Sequence, residues 1–213
     1  MDVRQSSYAL LGDCAIHIFS HLQPVLPILL PILIQQLDIG SLPDEEADAA
    51  FAVVNNACWS CGEIAMQEKS GLGPYVIDVY ERLLAIINNE DIPLSVHENA
   101  ATALGRLGTY YHEILAPRLP EFARTFLRIM ERVEANNEKG QAFTGLNAVI
   151  IRNPQAMGDC LLDYFKACAT LSDSRSRHEE NLRPSFSQVR HILAIIQVRL
   201  WLICYRFCKA TSQ

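Results

Sequence analysis

The sequence predicts an all-α fold, a solenoid of HEAT-type helix pairs, on three observations. Apolar residues recur at three- and four-residue spacing through most of the chain, and no stretch alternates apolar with polar as a half-buried strand would. Asp, Asn, Pro and Gly punctuate these stretches where helices need caps and stops. A small-residue segment ending in glycine returns after 50, 43 and 40 residues, close to the period of a two-helix repeat.

The first helical stretch, 7–19, carries the segment SYALLG. The second, 24–37, contains VLPILLPILI (25–34), which is too short to span a membrane and is broken by Pro27 and Pro31. SLPDEE precedes the third, 46–67. Its DEEAD cluster (44–48) suits the positive end of a helix dipole, with a weak electrostatic lure for basic ligands as the alternative. GLGP introduces the fourth, 74–87, and NNEDIP the fifth, 94–111. Around the sixth, 119–133, Arg118, Arg124, Arg128 and Arg132 read as a solvated face or as a row that meets an acidic partner. NNEKG opens the seventh, 139–151, and the eighth covers 158–171. Further on, ILAIIQVRLWLIC (192–204) holds Gln197 and Arg199 and reads as an amphipathic helix, not a membrane span.

With 213 residues, half of them hydrophobic, the chain can bury a sizeable core and is too apolar for a disordered tail. A net charge of −6 disfavours general nucleic-acid binding. The charge is uneven. Residues 1–171 carry 21 acids against 11 Lys and Arg, whereas 172–213 carry 3 against 7. The expected division is a repeat array over 1–171 followed by a divergent, basic, helical tail over 172–213. Seven cysteines, an odd number, lie inside apolar runs, and the N-terminus has no signal-peptide pattern; both suit reduced thiols inside a cell.

The repeated segments align as SYALLG at Gly12, ACWSCG at Gly62, AATALG at Gly105 and GQAFTG at Gly145, each on the second helix of its pair. Glycine there lets helices of neighbouring repeats approach closely. Seven positions before the glycine stand Gln5, Asn55, Glu98 and Glu138; six before it stand Ser6, Asn56, Asn99 and Lys139. One position after it stand Asp13, Glu63, Arg106 and Leu146. Steps of four residues join the first column to the position three before the glycine and then to the one after it, forming one stripe expected to face solvent. Ala9, Thr102 and Ala142 are small or modest members of that stripe, but the second repeat places Trp59 between Asn55 and Glu63. Trp59 either leans sideways into the core between repeats or offers an aromatic platform, flanked by acids, to a basic and partly apolar peptide.

At these residues the sequence resembles the transportin family, the karyopherin-beta nuclear import receptors of the PY-signal class. The matching strings are VRQSSYALLGD (3–13), NNACWSCGEIAMQ (55–67), GPYVIDVYERLLAIIN (73–88), ENAATALGRLG (98–108), NNEKGQAF (136–143) and RNPQAM (152–157), in family order. The resemblance covers about residues 1–170 and fades after Leu171. It implies a right-handed HEAT superhelix, truncated at both ends, whose inner helices hold nuclear localisation signals of cargo proteins. It also implies nucleoporins and the GTPase Ran as partners of the full-length family, and shuttling between cytoplasm and nucleus.

Transportins receive the N-terminal hydrophobic or basic part of the signal at the tryptophan of the NNxxW string and on adjacent inner helices. The resemblance thereby nominates Asp13, Phe51, Asn55, Trp59, Asn99 and Thr102; Phe51 and Thr102 stand where the family more often has isoleucine. Glu63 and Glu98 join them on the stripe argument. Met1 falls where transportins are deep in their C-terminal half. The Ran-binding repeats and those for the Pro-Tyr end of the signal are therefore expected to be absent, and the first helix to expose an apolar edge.

Catalytic readings are weaker. CWSC (58–61) has the CxxC form, but it lies mid-helix instead of at the helix N-terminus after a strand that thioredoxin-type chemistry uses. Cys14, His17 and His21 would need a fourth partner to hold zinc. Nucleophile-elbow, phosphate-loop and dinucleotide fingerprints are absent from the sequence. The expected function is non-catalytic, with no cofactor, metal, nucleic acid or membrane insertion. A HEAT scaffold for protein assembly with no transport role is the alternative.

Overall fold

The computed structural model describes residues 3–41, 47–67, 71–171 and 183–195. Among them run ten α-helices and no strand. These are α1 (Val3–His17), α2 (Phe19–Leu22), α3 (Leu26–Gln36), α4 (Ala47–Ala65), α5 (Val76–Asn88), α6 (Leu94–Leu115), α7 (Leu119–Arg132), α8 (Asn137–Arg152), α9 (Leu161–Ala169) and α10 (183–195). Residues 44–46 of the acidic cluster, and the 192–204 run beyond residue 195, lie outside the described residues. No single described helix is long and apolar enough to cross a membrane.

The helices form two layers. α1, α4, α6 and α8 pack side by side in that order, and α3, α5, α7 and α9 do the same behind them. Every inner helix passes to the next outer one through a proline-bearing 3-10 turn: Gln23–Val25, Gly73–Tyr75, Ala116–Arg118 and Pro154–Cys160. Pro24, Pro74 and Pro117 each stand twelve residues after a repeat glycine, and Pro154 stands nine after Gly145. Proline suits a first turn, where a backbone N–H has no helical partner and a fixed φ is already helical. Where α7 returns to α8, the Asn136 side chain caps the helix by accepting the Lys139 amide at 2.8 Å.

The outer helices α5 and α7 are strongly amphipathic. α7 buries Phe122, Phe126 and Met130 while Arg124, Arg128 and Arg132 stay exposed. Part of that arginine row also ties elements together. Arg124 donates to the Asp159 carbonyl at 2.7 Å and pairs with Asp163 at 3.8 Å, and Arg118 lies 5.2 Å over the Tyr80 ring. A chain of edge-to-face rings, Tyr80, Phe122, Phe126, Phe143 and Tyr164, runs through α5, α7, α8 and α9 at centroid spacings of 6.0 to 6.4 Å. Phe186 of α10 joins it 5.9 Å from Phe143, with Val189 and Leu193 buried beside it. The core thus continues past Leu171 into α10. At the other end, α1 exposes Val3, Leu10 and Ile16, and α3 exposes Ile28 and Ile32, although an apolar edge was expected of the first helix alone.

Glycine sets the spacing of the inner layer. A Cβ added at Gly145 would lie 1.9 Å from the Gly105 carbonyl oxygen, and one at Gly105 would lie 2.6 Å from the Ala142 carbonyl oxygen. Both obstacles are backbone, so only separation of α6 from α8 would relieve them. A Cβ at Gly158, by contrast, meets nothing within 4 Å. Gly145→Ala should therefore cost about 2–3 kcal/mol or more in urea unfolding, with Gly158→Ala within about 0.5 kcal/mol of the parent.

Candidate functional site

On α4 the sequence places Phe51, Asn55, Trp59 and Glu63 one helical turn apart, along the side that meets α1 and α6. The N-terminal half of this row opens into a groove of about 310 Å3 lined by Gln5, Phe51, Ala52, Asn55, Pro93, Ser95 and Val96. Side-chain amides run across the helices beside it. Asn99 donates to Asn55 at 3.0 Å, Asn55 to Asn56 at 3.5 Å, and Asn56 to the Gln5 carbonyl at 3.0 Å. The ladder registers α6, α4 and α1 with groups able to bond an extended backbone, because each amide carries both a donor and an acceptor.

Trp59 is half-buried, between the two positions the sequence left open for it. Its benzo edge lies over Gly12 of α1, so close that a Cβ at Gly12 would sit 2.2 Å from Cζ3. Its indole Nε1 donates to Oε1 of Glu138, on α8, at 3.0 Å. The ring leans sideways and remains partly open at the same time.

Several of the polar positions on the stripe and beside it are not wet, which corrects the solvent-facing expectation, although Asp13 is exposed. Glu63 is 8% exposed, Thr102 6%, Arg106 2% and Lys139 0%. Arg106 explains how charge is tolerated here. Its guanidinium donates to Glu63 at 2.7 Å and to Gln141 at 2.6 and 3.0 Å, and reaches Glu138 at 3.4 Å. One planar fork thus joins α4, α6 and α8. Burial pushes the Glu63 carboxyl above its ordinary 4.5; Arg106 pulls it back, while Glu138 and Asp13 add to the upward push. Lys139 is buried apart from this cluster, donating to the Val133 carbonyl and the Thr170 hydroxyl at 2.6 Å each. Desolvation lowers its pKa.

Of the eight nominated residues, Phe51 and Asn55 line the groove, and Asn99 joins them through the ladder. Trp59 lies one turn further along α4, Glu98 is half-buried on α6, and Asp13 is exposed on α1. Glu63 and Thr102 stand behind the surface. The sequence reading passes over Glu138 as a site residue, although it shares a column with Asn55 and Glu98. It also passes over Gln141, Pro93, Ser95 and Val96, whose signal is only their neighbourhood in space. Cys58 and Cys61 are both fully buried, and burial raises the Cys61 thiol to about 12, so neither offers a ready thiolate. Among the described residues no three His, Cys, Asp or Glu side chains gather as a metal site would need, Cys14, His17 and His21 included.

Inner helices set close by glycine, outer helices led in by proline and a polar inner face define a HEAT-repeat array. No family model matches the chain. Importin subunit beta-2 of Schizosaccharomyces pombe is 35% identical over 188 residues, 88% of this chain and 20% of that protein. Transportin-1 of Homo sapiens is 33% identical over 190 residues, and Transportin-1 of Oryza sativa subsp. japonica 34% over 181, covering 89% and 84% of this chain and 20% of each relative. The chain belongs to this transportin, or importin beta-2, family of karyopherins, and spans about a fifth of the length of these relatives.

Removing Arg106 leaves Glu63 buried without its cation. Arg106→Met should cost about 3 kcal/mol at pH 7, the typical cost of breaking one side of a buried pair. A Glu with a raised folded pKa adds stability below its unfolded pKa and loses it as pH rises through the folded value. The variant raises that folded pKa further, so its deficit should shrink as pH falls toward 4.5, the ordinary Glu63 value. Urea melts at several pH values check this; a pH-independent deficit would assign the loss to packing alone.

Proposed function

We propose that this chain is part of a nuclear import receptor and holds the nuclear localisation signal of a cargo protein on its inner helices, without catalysis. The observation that carries this reading is the half-buried Trp59, one turn along α4 from the groove of Phe51 and Asn55. The groove has room for one apolar side chain against Phe51, Pro93 and Val96. The open part of the Trp59 ring suits an apolar group or a guanidinium. Asn55 and Asn99 bond an extended backbone, and the exposed carboxylate of Asp13 and the half-buried one of Glu98 favour basic segments over acidic ones. Glu63 and Thr102 lie behind this surface, and Glu63 holds Arg106.

The family supports a transport role in general. Contacts with Ran and nucleoporins, and shuttling between cytoplasm and nucleus, belong in this reading to the whole receptor. A chain of this length engages only part of a long signal, and affinity gained from simultaneous anchors is correspondingly smaller.

Fluorescence anisotropy of a labelled basic PY-type signal peptide tests the proposal. Binding should weaken with added salt, and Trp59→Ala should raise Kd about tenfold or more with circular dichroism unchanged. Equal binding by parent and variant would remove Trp59 from the site. Preference for an acidic or apolar peptide would favour the assembly-scaffold reading.

A further inference from the structure

The indole of Trp59 is gripped at both edges by helices that are not neighbours in the inner stack, where α4 and α6 follow α1 before α8. Gly12 of α1 leaves the space for its benzo edge, since any Cβ there would overlap the ring. Glu138 of α8 accepts its N–H at 3.0 Å across α6. Glu138 is itself held, because Arg106 reaches the same Oε1 at 3.4 Å and is anchored by Glu63 and Gln141. An indole with its N–H bonded and one edge against backbone has few rotamers left, whereas an unheld surface tryptophan pays entropy on ordering.

We propose that Glu138 is a positioning residue, setting the orientation in which Trp59 meets its ligand. Glu138 acts through the ring and not as a countercharge to the peptide. This inference rests on the peptide-binding reading only for its effect on affinity; the positioning itself is a property of the free protein. Gly12 and Glu138 act on one ring from opposite edges, so their effects are coupled although they sit on α1 and α8. That coupling distinguishes positioning from a general loss of stability, which would add for separate sites.

The test uses proton–nitrogen correlation spectra of the whole chain, which has two tryptophans and hence two indole N–H signals. Trp59→Phe identifies the Trp59 signal. Glu138→Leu should move it upfield and raise Kd for the labelled basic peptide about three- to tenfold, the worth of one hydrogen bond. Glu138→Gln keeps an acceptor without the charge, and should hold the signal near its parent position and Kd within about twofold. Gly12→Ala should move the same signal, and adding Glu138→Leu to it should change little further. Should Glu138→Leu fail to fold, Gly12→Ala and Glu138→Gln still carry the test.

An indole signal unmoved by both Glu138→Leu and Gly12→Ala would overturn the proposal. So would a Gln variant that binds as poorly as the Leu variant, since charge would then be the cause. Peptide binding lost in Trp59→Ala but kept in a Glu138→Leu chain whose indole has moved would overturn the link to affinity while sparing the import reading. An indole that moves as expected in a protein that binds no basic peptide would support positioning and overturn the import reading.

Discussion

The backbone contact between Gly105 and Gly145 is the constraint on which the rest depends. A Cβ at either glycine would collide with main-chain atoms of the facing helix, so α6 and α8 can pack this closely only without one. That approach brings three successive inner helices within reach of single side chains. Arg106 spans from α6 to both neighbours, and Trp59 reaches from α4 to α8. Were the helices set apart by one methyl at each contact, bonds of 2.7 and 3.0 Å could not all be kept.

Close packing in turn decides the electrostatics. Glu63 and Arg106 are nearly sealed from water, a costly state for any lone charge. The guanidinium meets this with several donors in one plane, satisfied by Glu63, Gln141 and Glu138 together. A lysine could not make that arrangement, since its single nitrogen lacks the planar fork. Such pairs are weak sources of net stability, but they strongly oppose alternatives in which one partner is left behind. The cluster therefore specifies how the inner helices register more than how firmly they hold.

Much of the array was legible in one dimension. The helical stretches, the repeat glycines and the capping segments follow from local rules: apolar spacing, backbone freedom at glycine and the missing N–H of proline. The columns of the repeat also brought Asn55, Trp59, Asn99 and Glu138 onto a common face. The state of each position on that face was not legible. Lys139 and Arg106 read as solvent-facing charges by type and spacing, yet both are buried, because an inner helix with a neighbour on each side leaves little of its surface open. Glu98 was nominated and Glu138 was not, although only Glu138 is bonded to Trp59.

By itself the sequence determined the helical class, the two-helix period, the punctuation between helices and a family likeness carried by NNACWSCGEIAMQ and ENAATALGRLG. These are properties of neighbouring residues, and local physics suffices for them. Only the tertiary structure decided that Trp59 lies between Gly12 and Glu138, that Arg106 is a buried hub, and that the groove lies between Phe51 and Val96. Each depends on the distance between helices far apart in the chain. That distance is set by the summed packing of every layer, which no local pattern encodes.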